Sequence, residues 1–338
     1  FTIGGEFKIS RFRKMGRQIL IISFLEILLT LLSITVLVLF LGGNNLAFAI
    51  LLGVIGIATA PAATLLVLRE FDSEGPVTNH ILILVGMNNL LCLVLFRLIF
   101  PLVKIADSST LALSIQEALL WPLCEVIGSL VVGFCLGLIV VFGENRLQKK
   151  NELFTLILAM IVTGIGLGFL FRLSPLLINL ALGSAVANLS REYKNLLDHI
   201  KSIDLPFYIL FFILAGASLH LDLIPSVGKL GFAYIGGRII GKLFGIYLGA
   251  RRVQAPETVR RYGGCGILAQ AGIAIGLCSI VAQEDPVNGP VITSTVLSSV
   301  IIFELLGPIF LRWAIIKSGE VKLINIIYRK GSFSFGEF

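Results

Sequence analysis

The chain carries very little charge for its length. Asp, Glu, Lys and Arg make up 14% of its 338 residues, whereas soluble domains contain roughly 25%. Hydrophobic residues make up 57%, and the mean hydropathy is +0.98. Apolar stretches of about 18 to 25 residues, long enough to cross a bilayer as helices, recur along the whole sequence. The composition therefore predicts an all-α polytopic membrane protein with the lipid bilayer as its solvent.

The chain also lacks the motifs of membrane enzymes and ATPases. It contains no GxxxxGK[ST], GxSxG or HExxH pattern, so we expect neither an enzyme nor a bound cofactor. Its five cysteines lie in apolar stretches without a CxxC pair, which indicates packing rather than a disulfide or a metal site. The three histidines lie at the ends of apolar stretches or in a loop, where an interfacial position without a function is the default interpretation.

The apolar stretches predict about ten transmembrane helices in one domain, residues 1–320, followed by a short cytoplasmic tail at residues 321–338. The predicted spans are residues 17–41, 46–68, 77–100, 112–142, 152–171, 174–189, 205–220, 227–250, 263–283 and 291–316. The first residues, FTIGGEF, resemble the end of a preceding span, so we expect further spans upstream.

The basic residues are distributed unevenly between the loops. The net charge of +7 could suggest nucleic acid as a partner, but most of the 27 Lys and Arg residues fall in segments on one side of the predicted membrane. This asymmetry follows the positive-inside rule. It excludes nucleic acid as the explanation and predicts that both termini are cytoplasmic.

Two adjacent amides, Asn88 and Asn89, lie in the middle of the third span, in the apolar run at residues 80–96. Unsatisfied amides are costly in hydrocarbon, so such a pair is expected to face a cavity or another polar group. The second span just upstream contains Thr59 and Pro61, and a proline there removes a helical hydrogen bond. A broken helix beside a polar midpoint is typical of ion sites in transporters.

A second interruption is predicted in the ninth span. The stretch at residues 263–277 contains five glycines and one amide, Gln270. Two discontinuous helices in corresponding places of the two halves predict inverted repeats with a site at the middle of the membrane. The alternative is that Pro61 only kinks its helix and that the glycines only allow close packing.

Charged residues within the spans provide further candidates. Arg238 and Lys242 share one face of the eighth span, and charges at this depth usually mark a transport pathway or a paired site. The alternative is that both side chains snorkel to the interface. Four acids lie in spans, namely Glu26, Glu117, Glu125 and Glu304. Of these, Glu125 and Glu304 have the most suitable depth to carry a proton or to neutralise a base.

Several of these stretches resemble the cation/proton antiporter superfamily, and most of all its Kef-like sodium(potassium)/hydrogen exchangers. The resembling blocks are residues 58–78, 86–96 (GMNNLLCLVLF), 237–251, 268–277 and 303–320. The resemblance implies about thirteen spans in two inverted repeats with two broken helices that cross, of which this chain lacks the first three. It also implies a bacterial inner membrane, a possible homodimer, and a monovalent cation and a proton as the transported species.

The resemblance also assigns roles to residues. The polar residues of the first break are Thr59 and Pro61, and the basic residue of the span before the second break lies within 238–242. The ion-binding motif of the family is acidic, and here it is Asn88-Asn89. A carboxamide cannot take up a proton near neutral pH, so the proton-exchange chemistry must differ from the family pattern.

Three functional hypotheses follow from this departure. The protein exchanges Na⁺ or K⁺ for a proton carried elsewhere, with Glu304 or Glu125 as the carrier. Alternatively, it moves a solute without coupling to protons, or it is a transport-deficient or regulatory membrane protein that retains the antiporter fold. Among these hypotheses we favour cation:proton antiport.

Overall fold

The computed structural model describes residues 1–5, 9–42, 46–107, 115–144, 146–147, 150–190, 213, 224–285 and 287–321. These residues are almost entirely helical, and none of them is in a β-strand. The helices are α1 (Thr2–Gly5), α2 (Ile9–Gly42), α3 (Leu46–Gly56), α4 (Pro61–Glu70), α5 (Pro76–Asp107), α6 (Ile115–Glu144), α7 (Lys150–Phe171), α8 (Pro175–Leu189), α9 (Ile224–Arg252), α10 (Glu257–Tyr262), α11 (Gly272–Glu284) and α12 (Gly289–Lys317). A 3₁₀ segment at Gly263–Ile267 follows α10 directly.

Most predicted spans coincide with these helices. Within the described ranges, six segments are long and apolar enough to cross a membrane, one of which is α3 and α4 taken together (Leu46–Glu70), or seven when the bent pair Glu257–Ile267 and Gly272–Glu284 counts as one span. Helix α8, at the predicted span 174–189, has only 15 residues. Helix α9, at 227–250, is long enough but carries several basic residues. The predicted span 205–220, apart from Ile213, and the predicted tail, apart from Val321, lie outside the described residues.

Helices α2 and α9 pack against each other along most of their length because α9 presents a row of glycines. Gly237, Gly241, Gly245 and Gly249 recur at every fourth position and thus share one face. A Cβ added at any of them would come closer to the α2 backbone than van der Waals contact allows. Small residues at this spacing let two membrane helices approach backbone to backbone. The row fixes which α2 side chains lie beside the charged residues of α9.

Helix α5 carries the paired amides, and its beginning is fixed by the end of α12. The Glu320 carboxylate accepts hydrogen bonds from the backbone N–H of Val77 at 2.7 Å and of Thr78 at 2.8 Å, and from the Thr78 hydroxyl at 2.8 Å. These N–H groups belong to the first turn of α5, which has no intrahelical acceptors for them. A carboxylate at this end also complements the helix dipole. Two distant parts of the chain therefore meet at the start of α5.

Candidate ion site at the crossing of two helix breaks

The chain loses helical structure twice, and the two interruptions touch. The first break separates α3 from α4 at residues 57–60, and the second separates the 3₁₀ segment from α11 at residues 268–271. The Ala60 N–H donates to the Ala269 carbonyl at 2.9 Å, which joins them. Pro61 begins α4, where its missing N–H costs nothing. The prediction of two broken, crossing helices is confirmed.

Asn89 lies directly against the first break. Its Oδ1 accepts a hydrogen bond from the Thr59 N–H at 3.0 Å, and the Thr59 hydroxyl in turn donates to the Val85 carbonyl at 3.4 Å. The bond from a backbone donor fixes Oδ1 towards Thr59, so the Nδ2 group of the same amide also lies at the crossing. The structure thus brings together Asn89 and Thr59, two of the site residues predicted from the sequence. Pro61 follows Thr59 by two residues in the chain.

Asn88 has a different environment. It is completely buried, as is Asn89. Neither Oδ1 nor Nδ2 of Asn88, nor Nδ2 of Asn89, has a hydrogen-bond partner among the described residues. Buried polar atoms are almost always paired with protein or water, so each exception needs an explanation. Asn89 therefore offers an unused donor beside the break, and Asn88 offers an unused donor and an unused acceptor at the neighbouring position of α5.

Arg238 connects both breaks through main-chain carbonyls. Its guanidinium donates to Gly56 O at 3.0 Å at the end of α3 and to Ala58 O at 2.8 Å in the first break. In the second break it donates to Leu268 O and, at 3.2 Å, to Ala269 O. These carbonyls follow the ends of α3 and of the 3₁₀ segment, where helices expose a partial negative charge. The Phe303 ring covers the guanidinium, with its centroid 4.4 Å from Cζ.

Lys242, one turn further along α9, forms a buried ion pair. Its Nζ donates to Glu26 Oε1 on α2 at 2.8 Å and to the Ile57 carbonyl of the first break at 3.1 Å. Lys242, Glu26 and Arg238 are all fully buried. The snorkelling alternative is therefore wrong for both basic residues, because the glycine row of α9 turns them towards α2 and the breaks rather than towards an interface.

Glu26 is the residue of this site that sequence reasoning undervalued. The sequence identified it as one of four intramembrane acids but ranked Glu125 and Glu304 above it. The available signal was the four-residue glycine spacing in α9, which predicts a close helix partner but does not name it. Glu26 also accepts a bond from the Thr30 hydroxyl at 3.2 Å. Its Oε2 has no partner among the described residues.

Gln270 lies in the second break and links it to the first. Its Nε2 donates to the Ile55 carbonyl at 3.2 Å and to the Tyr234 hydroxyl oxygen at 2.8 Å. Its Oε1 accepts a longer bond from Ser299 at 3.5 Å. Gln270 is therefore part of the crossing, and its amide is occupied by the scaffold.

Glu125 and Glu304 are not joined to the described part of the crossing by any hydrogen bond or ion pair. Glu125 forms an ion pair with Arg97 of α5 at 2.9 Å. Glu304 lies one residue beyond Phe303, and its buried Oε2 has no hydrogen-bond partner among the described residues. No group of three or more His, Cys, Asp or Glu side chains that could hold a metal ion occurs in the described ranges.

Comparison with known proteins places this geometry in a family. The family model described as "Sodium/hydrogen exchanger, transmembrane" matches residues 1–317. The chain belongs to the sodium/hydrogen exchanger family. Membership confirms the resemblance to cation/proton antiporters and an integral membrane location, and it supports cation:proton antiport as the general activity.

Solved structures of the sodium proton antiporter MjNhaP1 from Methanocaldococcus jannaschii have a similar fold. For the structure at pH 8 the TM-score is 0.75 at 15% identity, and the match covers 94% of this chain and 82% of that chain. For an electron-microscopy map of the same antiporter the TM-score is 0.71 at 17% identity, with 100% of this chain and 84% of that one covered. No curated protein sequence matches. The similarity confirms the antiporter-type helical fold.

The described part of the crossing contains more buried basic side chains than acidic ones. The fully buried charged side chains there are Arg238, Lys242 and Glu26, two cations and one carboxylate. The amides of Asn88 and Asn89 stand where the family resemblance implies acids. The described part of the crossing therefore retains one net positive charge, which disfavours a cation unless that charge changes.

Proposed function

We propose that the protein is a membrane carrier, not an enzyme, that exchanges a monovalent cation, Na⁺ or K⁺, for protons, and that the Glu26–Lys242 pair handles the proton. The observation that carries this proposal is the position of Lys242 Nζ, which bonds to Glu26 and to the first break at the same time. Through Lys242, the pair of carboxylate and amine is hydrogen-bonded to the backbone of the first break, the same break to which Asn89 is bonded. Neither Glu125 nor Glu304 has such a connection within the described residues.

In this proposal, the proton and the cation compete through charge rather than through a shared ligand. Protonation of Glu26 removes the negative charge beside Lys242, which raises the positive charge of the crossing and expels a cation. Loss of a proton from the pair lowers that charge and admits a cation. Amide and carbonyl oxygens can then coordinate it, as carbonyl oxygens replace the hydration shell of K⁺ in channels. The unused Oδ1 of Asn88 is one such oxygen.

The test is exchange in everted membrane vesicles that carry a ΔpH-sensitive dye. We expect Na⁺ or K⁺ to dissipate the gradient with the wild-type protein, and Glu26→Gln or Lys242→Met to abolish the effect. Glu125→Gln and Glu304→Gln are matched controls, each removing one intramembrane acid outside the crossing, and should retain exchange. If Na⁺, K⁺ and Li⁺ all give no signal, antiport is the wrong function. Loss of exchange only in Glu304→Gln would make Glu304 the carrier.

A second candidate function is a transport-deficient or regulatory membrane protein that retains the fold. The observation in its favour is the replacement of both acids of the motif by Asn88 and Asn89. Asn89→Asp distinguishes the two candidates. If the wild-type protein is inactive and Asn89→Asp creates exchange, the scaffold is intact and only the acid is missing. Copurification of a partner protein in a fixed ratio with an inactive wild type would favour the regulatory function.

The cellular arrangement is part of the proposal. The excess of basic residues on one side of the predicted membrane supports cytoplasmic termini in a bacterial inner membrane. A homodimer is the proposed assembly, because members of the family resemble one another in having a dimerisation region.

A further inference from the structure

The crossing contains a buried positive charge that no acidic side chain balances within the described residues. Arg238, Lys242 and Glu26 are each 0% exposed, and Glu26 forms its ion pair with Lys242. The charge of Arg238 therefore lacks a carboxylate partner within the described residues and is met by carbonyl oxygens and the Phe303 ring. A buried ion without a counter-charge is strongly unfavourable, since hydrocarbon and protein screen it poorly.

The beginnings of α4 and α11 add further positive potential. A helix N-terminus carries about half a positive elementary charge on its free N–H groups. Neither helix has an acidic residue in its first turn, and neither of their N-cap residues, Ala60 and Ala271, forms a side-chain cap. The bond between Ala60, the N-cap residue of α4, and Ala269, two residues before the N-cap residue of α11, joins the two breaks just ahead of these helices. The negative ends of the opposite half-helices, in contrast, are already occupied by Arg238.

Unpartnered buried amides provide a second and independent indication of a ligand. The Nδ2 of Asn89 lies beside Thr59 because the other atom of the same amide bonds to the Thr59 N–H, and it has no acceptor among the described residues. The Nδ2 of Asn88 also lacks one. Gly272, the first residue of α11, is exposed, and a Cβ added there would meet nothing within 4 Å, so open space adjoins the exposed side of that N-terminus. A free amide donor of Asn89 thus accompanies the break that precedes α4, and Asn88 carries a second free donor at the neighbouring position of α5.

We propose that the crossing binds a small monovalent anion, of the size of chloride or formate, which supplies the negative charge that Asn88 and Asn89 do not provide. The anion accepts hydrogen bonds from the amide Nδ2 groups and from the backbone N–H groups of the half-helix N-termini, a combination that suits anions. A single negative charge balances the single positive charge of the crossing. This inference concerns binding, and it holds whether or not the chain exchanges cations.

The test is equilibrium binding of radioactive chloride to the purified full chain in lipid nanodiscs, with gluconate as the only other anion and no ion gradient. We expect saturable binding that formate displaces and that does not require Na⁺ or K⁺. Asn88→Leu should weaken chloride affinity by about tenfold or more, as expected for a lost hydrogen bond to a charged group. Asn89→Asp should abolish binding, because its carboxylate places a fixed negative charge at the same position.

Asn179→Leu is the matched control. Asn179 is also a buried asparagine with an unpartnered Oδ1, but it lies in α8, and its Nδ2 donates to the Pro175 carbonyl within the same helix. This variant should bind chloride like the wild type. The absence of saturable binding to monodisperse wild-type protein would overturn the proposal, as would unchanged binding in Asn89→Asp. If Asn88→Leu does not fold, chloride binding to Asn89→Asp alone tests the proposal. Exchange in vesicles is measured separately, so that failure of antiport and failure of anion binding give different results.

Discussion

Replacement of Lys242 by methionine tests whether the Glu26–Lys242 pair supports the crossing. Methionine keeps much of the volume of the lysine stem but removes the charge and both hydrogen bonds, to Glu26 Oε1 and to Ile57 O. Glu26 is then left as a fully buried carboxylate whose Oε2 already has no partner among the described residues. Removal of one partner of a buried ion pair lowers the free energy of unfolding by about 3–5 kcal/mol.

The assay is unfolding of the purified protein by SDS titration in mixed micelles, which reports the free energy of unfolding. The double variant Glu26→Leu with Lys242→Met removes both charges, and it should be within about 1 kcal/mol of the wild type, because apolar replacement of a complete pair is often neutral. Lys104→Met is the matched control, since the Lys104–Glu284 pair is 2.9 Å long, against 2.8 Å for Glu26–Lys242, but its side chains are 43% and 48% exposed. Such a pair contributes about 0–1 kcal/mol. A Lys242→Met variant as stable as Lys104→Met, or a double variant less stable than both single variants, would refute the reasoning.

Three further predictions concern packing and capping. Gly241→Ala should lower the free energy of unfolding by about 1–3 kcal/mol because its Cβ would collide with the Thr30 backbone, whereas Gly228→Ala in the same helix meets nothing within 4 Å and should not destabilise. Glu320→Ala should lower the free energy of unfolding by about 1.5–3 kcal/mol, because three donors of Val77 and Thr78 lose a charged acceptor. Glu257→Ala, which removes an exposed ion pair with Arg261, is the control in the same titration. Arg238→Lys should lower the thermal unfolding temperature despite the retained charge, since an ammonium lacks the fork that reaches both breaks; no change would show that the four carbonyl bonds do not hold the breaks together.

The position of the site was predictable from the sequence because local chemistry determines it. Pro61 removes a helical hydrogen bond and the clustered glycines of residues 263–277 lower the helix propensity of their stretch, and an amide pair in an apolar run needs a polar environment. The partners within the site were not predictable in the same way. Glu26 and Lys242 are 216 residues apart, and their contact depends on the register between α2 and α9. Arg238 binds main-chain carbonyls, which every residue has, so no side chain in the sequence marks its partners. The lack of a partner for Asn88 is likewise a property of packing and not of the local sequence.

The bonding of Arg238 explains how an exchanger fold can tolerate amides in place of acids. If Arg238 needed a carboxylate at Asn88 or Asn89, the replacement would leave a buried cation without bonds, and the two breaks would separate. Its hydrogen bonds instead go to carbonyls of Gly56, Ala58 and Ala269, which exist whatever side chain stands at position 89. The structural role of Arg238 is therefore independent of the side chains at positions 88 and 89. Loss of the acids changes the charge of the crossing without removing the bonds that form it, so the ion preference of this scaffold can change while its fold stays the same.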